Sequence, residues 1–176
     1  SDIKIAFDLS NGMSSLYARE IFGDEPAYIF EELDGNFPNH EPNPLIPKNV
    51  EPLQALVKKT GADVGVIYDG DADRVMFVDN EGKFVSPDLM IAVLGHYFID
   101  ERHETGTVLQ DIRSSKAVGE YLTPMGCKMA TWKVGRAFAA KKLRELDGVW
   151  GGELAGHYYF RDFFYSDSGL LASILI

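Results

Sequence analysis

The sequence predicts an α/β protein built from two consecutive small domains, each a mostly parallel sheet flanked by helices. Three observations predict it. Apolar residues switch repeatedly between a period near 2 and a period near 3.6 along the chain, the mark of alternating strands and helices. The segment Val64-Gly65-Val66-Ile67-Tyr68 is apolar on both faces, as buried parallel strands are. Two segments also open alike, each a strand ending in Asp and a small polar turn: Asp8-Leu9-Ser10-Asn11, and Asp111-Ile112-Arg113-Ser114-Ser115. A faint internal repeat would give this pattern, and so would the ordinary preference of strand-to-helix turns for Asp and Ser.

The elements follow in order. Ile3-Lys4-Ile5-Ala6-Phe7 reads as a strand ending at Asp8, and Asn11-Gly12 as a turn. Residues 13–22 read as a helix with Leu16, Tyr17 and Ile21 on one side, and 27–30 as a second strand. Residues 34–47 hold Pro38, Pro42, Pro44 and Pro47, which forbid regular pairing, so a loop is expected. Asn49 is the expected cap of the next helix, with Pro52 in its first turn and Leu53, Leu56 and Val57 as its apolar stripe. Strands are expected at 64–68 and 75–78, then a turn at Asn80-Glu81-Gly82. The domain boundary falls there, giving units 1–81 and 82–176. In the second unit Ser86 is the expected cap of a helix reaching about Ile99, with Pro87 at its first position. Strands at 107–111, 127–132, 149–150 and 158–160 alternate with helices at 115–122 and 136–146. Ser168 starts a last helix that is still apolar at Ile176, which suggests a chain cut at a domain edge and an apolar face (Leu170, Leu171, Ile174, Leu175) prone to self-association.

Composition narrows the function. The 176 residues are 45% hydrophobic and 25% charged, which excludes disorder as the main state. A net charge of −10 argues against nucleic acid as a partner. No apolar run is long enough to span a membrane, and the first residues do not resemble a signal peptide. The one cysteine, Cys127, cannot form an internal disulfide and is expected to head a buried strand. A cytoplasmic protein is the expectation.

The sharpest chemical feature is Asp69-Gly70-Asp71-Ala72-Asp73-Arg74, three alternating carboxylates directly after a buried strand. Open α/β sheets bind ligands outside the carboxyl ends of their strands. Carboxylates this crowded repel one another unless a cation sits among them, and hard oxygen donors select Mg²⁺, Mn²⁺ or Ca²⁺. An EF-hand is excluded, because its required Gly and Glu positions hold Arg74 and Asn80. A second feature, Gly151-Gly152-Glu153-Leu154-Ala155-Gly156-His157, offers a close backbone approach, a carboxylate for paired sugar hydroxyls, and a proton carrier in His157. A Gly-rich turn with a structural histidine is the plainer reading of it. Lys133-Val134-Gly135-Arg136 precedes a helix and suits a phosphate, as does Arg113 more weakly; Lys141, Lys142 and Arg144 read as the polar face of that helix. His40, His96 and His103 read as structural or exposed.

Residues 69–74 resemble the metal-binding loop of the α-D-phosphohexomutases, and 152–157 their sugar-binding loop, in the same order. Pro42-Asn43-Pro44, Asp111-Ile112-Arg113-Ser114-Ser115 and Tyr158-Tyr159-Phe160-Arg161-Asp162 are similar to the bacterial phosphomannomutase/phosphoglucomutase type. The resemblance covers essentially the whole chain, and implies the second and third of four domains. The first would carry a phosphorylated serine and the fourth a phosphate-binding loop; Ser14-Ser15 and Ser114-Ser115 lack the Ser-His-Asn-Pro context. The resemblance implies that Asp69, Asp71 and Asp73 hold Mg²⁺, that Arg74 sits beside the phosphate, that Glu153 binds sugar hydroxyls, and that His157 carries a proton. Lys133, Gly135, Arg136, Arg113 and Ala155 are further implied substrate contacts. Ala155 stands where the family usually has Ser, and Arg136 where His is common; Leu154 favours a hexose over a glucosamine substrate. The implied reaction interconverts hexose 1- and 6-phosphates through phosphoserine and a 1,6-bisphosphate. A metal and sugar-phosphate binding module without catalysis is the alternative. A hydrolase with Asp69 or Asp71 as nucleophile lacks its usual Thr, since Asp73 stands there.

Overall fold

The computed structural model describes residues 2–176, which divide into two compact units between Val85 and Ser86. That is just beyond the turn at which the sequence placed the boundary. The difference is a short strand, Phe84–Val85, that pairs back onto the first sheet.

In the first unit β1 (Ile5–Asp8), β2 (Ala27–Ile29), β3 (Val64–Tyr68), β4 (Val75–Asp79) and β5 (Phe84–Val85) form one sheet in the order β2-β1-β3-β4-β5. β1 runs parallel to β2 and β3, while β4 and β5 add antiparallel at the edge. The faces alternate as a pleat requires. Ala6, Ile67, Met76 and Val78 pack beneath Val50, Leu53 and Val57 of α2 (Pro47–Thr60). On the opposite face Phe7 stacks between Tyr28 and Tyr68 and meets Phe22 of α1 (Ala18–Phe22).

Two expectations here are corrected. The helix expected over 13–22 is a 3₁₀ turn, Met13–Leu16, followed by the short α1. Its core side is Ser14 and Ala18, both fully buried, whereas Leu16, Tyr17 and Ile21 are about half exposed. The buried Ser14 hydroxyl donates to the Leu9 carbonyl, a bond that competes with regular helix geometry. Asn49 is not a cap. The helix begins at Pro47, whose fixed φ suits a first position, behind Ile46 in extended conformation. Asn49 is buried inside the helix, and its amide donates to the Asn43 carbonyl, stitching the Pro-rich loop down.

The second unit repeats the plan. α3 (Pro87–Gly95) continues as a π-helical stretch, His96–Glu101, rather than as regular helix to Ile99. Ser86 precedes Pro87 as expected, but its hydroxyl donates to Asp88 and makes no cap bond. β6 (Thr107–Asp111), α4 (Lys116–Leu122), β7 (Lys128–Trp132), α5 (Arg136–Glu145), β8 (Trp150–Gly152), β9 (Tyr158–Phe160), β10 (Ser166–Asp167) and α6 (Gly169–Leu175) follow. The sheet order is β10-β9-β8-β6-β7, with β6 parallel to β7 and β8, and β9 and β10 antiparallel. Counted from the first strand of each unit, both sheets have the order second-first-third-fourth-fifth. The parallel expectation holds for the three-stranded core of each.

Leu109 and Tyr159 pack with Ala139 and Leu143 of α5 on one face. On the other face Trp150 stacks on Phe98 and donates to the Ile91 carbonyl. Cys127 is buried, but β7 is an edge strand with exposed Lys128, Thr131 and Trp132, not a buried one. Ser115 and Ser168 cap α4 and α6 with true side-chain bonds. Among the described residues no helix is long and apolar enough to cross a membrane.

Candidate functional site

The 69–74 loop joins β3 to β4, outside the carboxyl end of the parallel core. Asp69 is buried, Asp73 half-buried and Asp71 exposed. One carboxylate oxygen from each lies within 4.8 Å of the others. Ala72 has φ +61°, a left-handed conformation unusual for a residue with a Cβ, which lets the chain turn tightly enough for this convergence. Arg74 anchors the turn: its backbone N–H donates to Asp69 Oδ1 at 3.2 Å and its Nε to Oδ2 at 2.7 Å. Burial and the neighbouring Asp73 carboxylate push the Asp69 carboxyl up to about 6, against the opposing pull of Arg74. A divalent cation would neutralise this crowding. Three hard oxygen donors at one strand end fit Mg²⁺.

A buried polar layer supports the loop. The Ser10 hydroxyl donates to the Tyr68 carbonyl at 2.6 Å, and the Met13 N–H donates to the Gly70 carbonyl at 2.9 Å. Ser10 and Asn11 both have φ +52°, so the first turn of the unit is itself strained. Asn11 accepts from Asn39 and donates to the Glu32 carbonyl. Phe37 and Pro42 lie against Gly70, where an added Cβ would stand 3.4 Å from each. His40, expected to be structural or exposed, is buried and bonded to Asp8. Nothing in the sequence marks Ser10, Asn11 or Phe37 as supports of this loop.

The 153–157 loop occupies the same topological place in the second unit, between β8 and β9. Glu153, the expected acceptor for paired sugar hydroxyls, is 2% exposed. Its Oε1 accepts from the Gly135 N–H at 2.8 Å and its Oε2 from the Tyr159 hydroxyl at 2.6 Å. A buried carboxylate needs such donors, and the chain supplies them itself. His157 Nδ1 lies 2.7 Å from Asp167 Oδ2, and Arg136 Nε lies 3.2 Å from the other oxygen of the same buried carboxylate. The sequence marked Tyr159 only as part of the 158–162 segment, and Asp167 not at all. β10 is two residues long, so no period announced that Asp167 pairs across from Tyr159.

Asp111, at the end of β6, ties its own turn to the loop. It accepts from the backbone and guanidinium of Arg113, from Ser114, and from the Leu154 N–H. Burial pushes its carboxyl up, but these donors win and hold it below the usual carboxylate value. Arg113 is thus engaged by Asp111. Lys133 rests its ammonium 3.7 Å from the Phe138 ring centroid. Gly135 has φ +129°, open only to glycine. Asp111, Trp132, Lys133 and Glu153 line one small cavity. Ala155 is half-buried on the loop.

Comparison with known proteins identifies the family of both units. The family model described as phosphoglucomutase/phosphomannomutase, alpha/beta/alpha domain II, matches residues 1–82, and the domain III model matches 86–176. A protein from Xanthomonas campestris pv. campestris named phosphohexose mutases is 35% identical over 99% of this chain and 39% of its own length. The phosphomannomutase/phosphoglucomutase of Pseudomonas putida is 33% identical over 97% of this chain and 38% of its own length. The crystal structure of a phosphoglucomutase/phosphomannomutase family protein from Burkholderia thailandensis superimposes with a TM-score of 0.90 at 31% identity, covering 98% of this chain and 39% of that one. N-acetylphosphoglucosamine mutase from Aspergillus fumigatus shares the fold at 16% identity, over 90% of this chain and 36% of its own, with a TM-score of 0.66. The chain therefore spans about two fifths of the length of the relatives it matches. With both domain models covering nearly every residue, this chain belongs to the phosphoglucomutase/phosphomannomutase family, as its domains II and III.

Proposed function

We propose that the chain is the central portion of a phosphohexomutase that interconverts hexose 1-phosphate and hexose 6-phosphate, with mannose or glucose as the sugar. One observation carries the reading: three carboxylate oxygens converge at a strand end in a chain of this family. The names of the relatives support the reaction class. The Aspergillus fumigatus mutase was crystallised in complex with GlcNAc-6P and magnesium, which supports a sugar phosphate and that ion here.

Asp69, Asp71 and Asp73 would hold Mg²⁺, which supplies positive charge to spread the charge of a transferring phosphoryl group. Arg74 keeps Asp69 oriented and turns the remaining N–H groups of its guanidinium fork to a phosphate. Asp167 fixes the His157 ring through Nδ1, so that Nε2 is the atom that exchanges a proton with a sugar hydroxyl. Glu153 uses one acceptor position of each oxygen on Gly135 and Tyr159. The second acceptor position of each oxygen would take the two adjacent hydroxyls. Arg136, Lys133, Arg113 and Ala155 border this loop as further contacts. On this reading the reaction passes through a phosphoserine and a 1,6-bisphosphate, and the serine stands outside these 176 residues. The 176 residues alone then do not turn over substrate.

The test is a two-stage NMR titration, first with Mg²⁺ and then with glucose 1-phosphate. Amides of 69–74 are expected to shift with the ion and those of 153–157 with the sugar phosphate. Silence of both loops, repeated in a four-domain protein, would overturn the reading.

A further inference from the structure

Glu153 joins two loops that are far apart in sequence, the 153–157 loop and the 133–136 turn before α5, by accepting from Gly135. A carboxylate on a flexible side chain holds such a place only if its second oxygen is also fixed. Tyr159 fixes it. Its ring is fully buried with Leu109, Ala139 and Leu143, so the hydroxyl stands on a rigid base. From there it donates to Glu153 Oε2 at 2.6 Å, the length of a strong hydrogen bond to a charged acceptor. The strand that carries Tyr159 also pairs it with Asp167, whose carboxylate holds Arg136 of the same turn. The turn is thus gripped at consecutive residues, Gly135 by Glu153 and Arg136 by Asp167, and both grips sit beside one tyrosine. Gly135 itself has φ +129°, a conformation that favours glycine.

We propose that Tyr159 is a positioning residue: through its hydroxyl it sets the Glu153 carboxylate, and through Glu153 it clamps the 133–136 turn, fixing where Lys133 and Arg136 stand. Its value to sugar binding rests on the function proposed above; the clamp does not.

The variant Tyr159→Phe keeps the ring and removes only the donor. A hydrogen bond to a charged group corresponds to roughly a tenfold or larger change in an equilibrium. Amide hydrogen exchange at Gly135 is therefore expected to speed up by about tenfold or more, while amides of the β6 core such as Leu109 keep their rates. Equal protection of Gly135 in both proteins overturns the proposal, and so does a uniform loosening of Leu109 and Gly135 together. Should Tyr159→Phe not fold, Glu153→Ala carries the test: Gly135 must be released with Tyr159 intact, and persistent protection overturns the clamp. In the Glu153→Ala background, Tyr159→Phe must add nothing further at Gly135. A glucose 1-phosphate titration of the same proteins separates the two claims. Release of Gly135 with no response to the sugar in any of them, repeated in a four-domain protein, leaves the clamp standing and removes the sugar reading.

Discussion

His40 Nε2 lies 2.9 Å from Asp8 Oδ2, with the histidine side chain 6% exposed and the aspartate 0%. The other ring nitrogen meets the Glu41 carbonyl at 2.8 Å. Both neighbours only accept, so the ring fits best as the doubly protonated cation. Burial alone would lower its pKa, but the bonds to Asp8 and Glu41 and the charge of Asp8 together raise it above the ordinary value of 6.5. A raised native pKa adds stability that is complete below 6.5 and is lost as pH climbs through the higher native value. Urea unfolding should therefore show the first unit weakening as pH rises above 6.5. His40→Gln should cost about 1.5–3 kcal/mol in acid and flatten that dependence. A difference between the two proteins that does not change with pH would count against this account.

Within the 69–74 loop the three carboxylates should separate by burial. Asp71 is exposed, so Asp71→Asn should leave stability within about 0.5 kcal/mol while lowering divalent-ion affinity by roughly tenfold or more, since ligand charge sets affinity. Asp69 holds Arg74 and is buried, so Asp69→Asn should lose stability as well. Paramagnetic broadening by Mn²⁺, read alongside thermal melting, checks both, and undiminished broadening in Asp71→Asn would remove that residue from the ligand set.

Gly12 supports the same loop from beneath. A Cβ at Gly12 would stand 2.7 Å from the Gly70 carbonyl oxygen, a backbone atom that cannot swing aside. Gly12→Ala should cost about 1–3 kcal/mol and disturb the amides of the 69–74 loop. Gly35 has nothing within 4 Å of its added Cβ, and Gly35→Ala is the matched control, expected to be neutral or slightly stabilising. Equal melting curves for the two variants would mean that the close approach carries no weight.

Asp167 accepts from His157 through Nδ1, so the neutral ring should carry its proton there. Long-range ¹H–¹⁵N spectra of the histidine ring report this tautomer directly. Asp167→Ala should shift the population toward the Nε2 proton, and an unchanged ring pattern would break the proposed link between Asp167 and His157.

The sequence made the three-stranded core of each sheet legible, because segments such as 64–68 bury both faces and leave continuous apolar runs. It also marked both loops, since carboxylates and glycines cluster there within a few residues. What it hid was carried by geometry with no period. β5 and β10 are two residues each, too short to show alternation. Leu16, Tyr17 and Ile21 looked like a core face, yet smaller Ser14 and Ala18 turn inward beside the first strand. The burial of Glu153 was not legible because its two donors, Gly135 and Tyr159, come from another loop and from the next strand.

The shared strand order of the two sheets means that each candidate loop follows the third strand and precedes the fourth, at one address in two copies of a frame. One copy fills that address with aspartates and the other with a glutamate and a histidine. Such a frame separates inheritance from invention. The strands keep the chain foldable, while the address between them can be rewritten a few residues at a time. On the proposed function, changes in sugar preference across related chains are expected to collect at 152–157 and at the 133–136 turn that Glu153 holds, with little trace in the sheets.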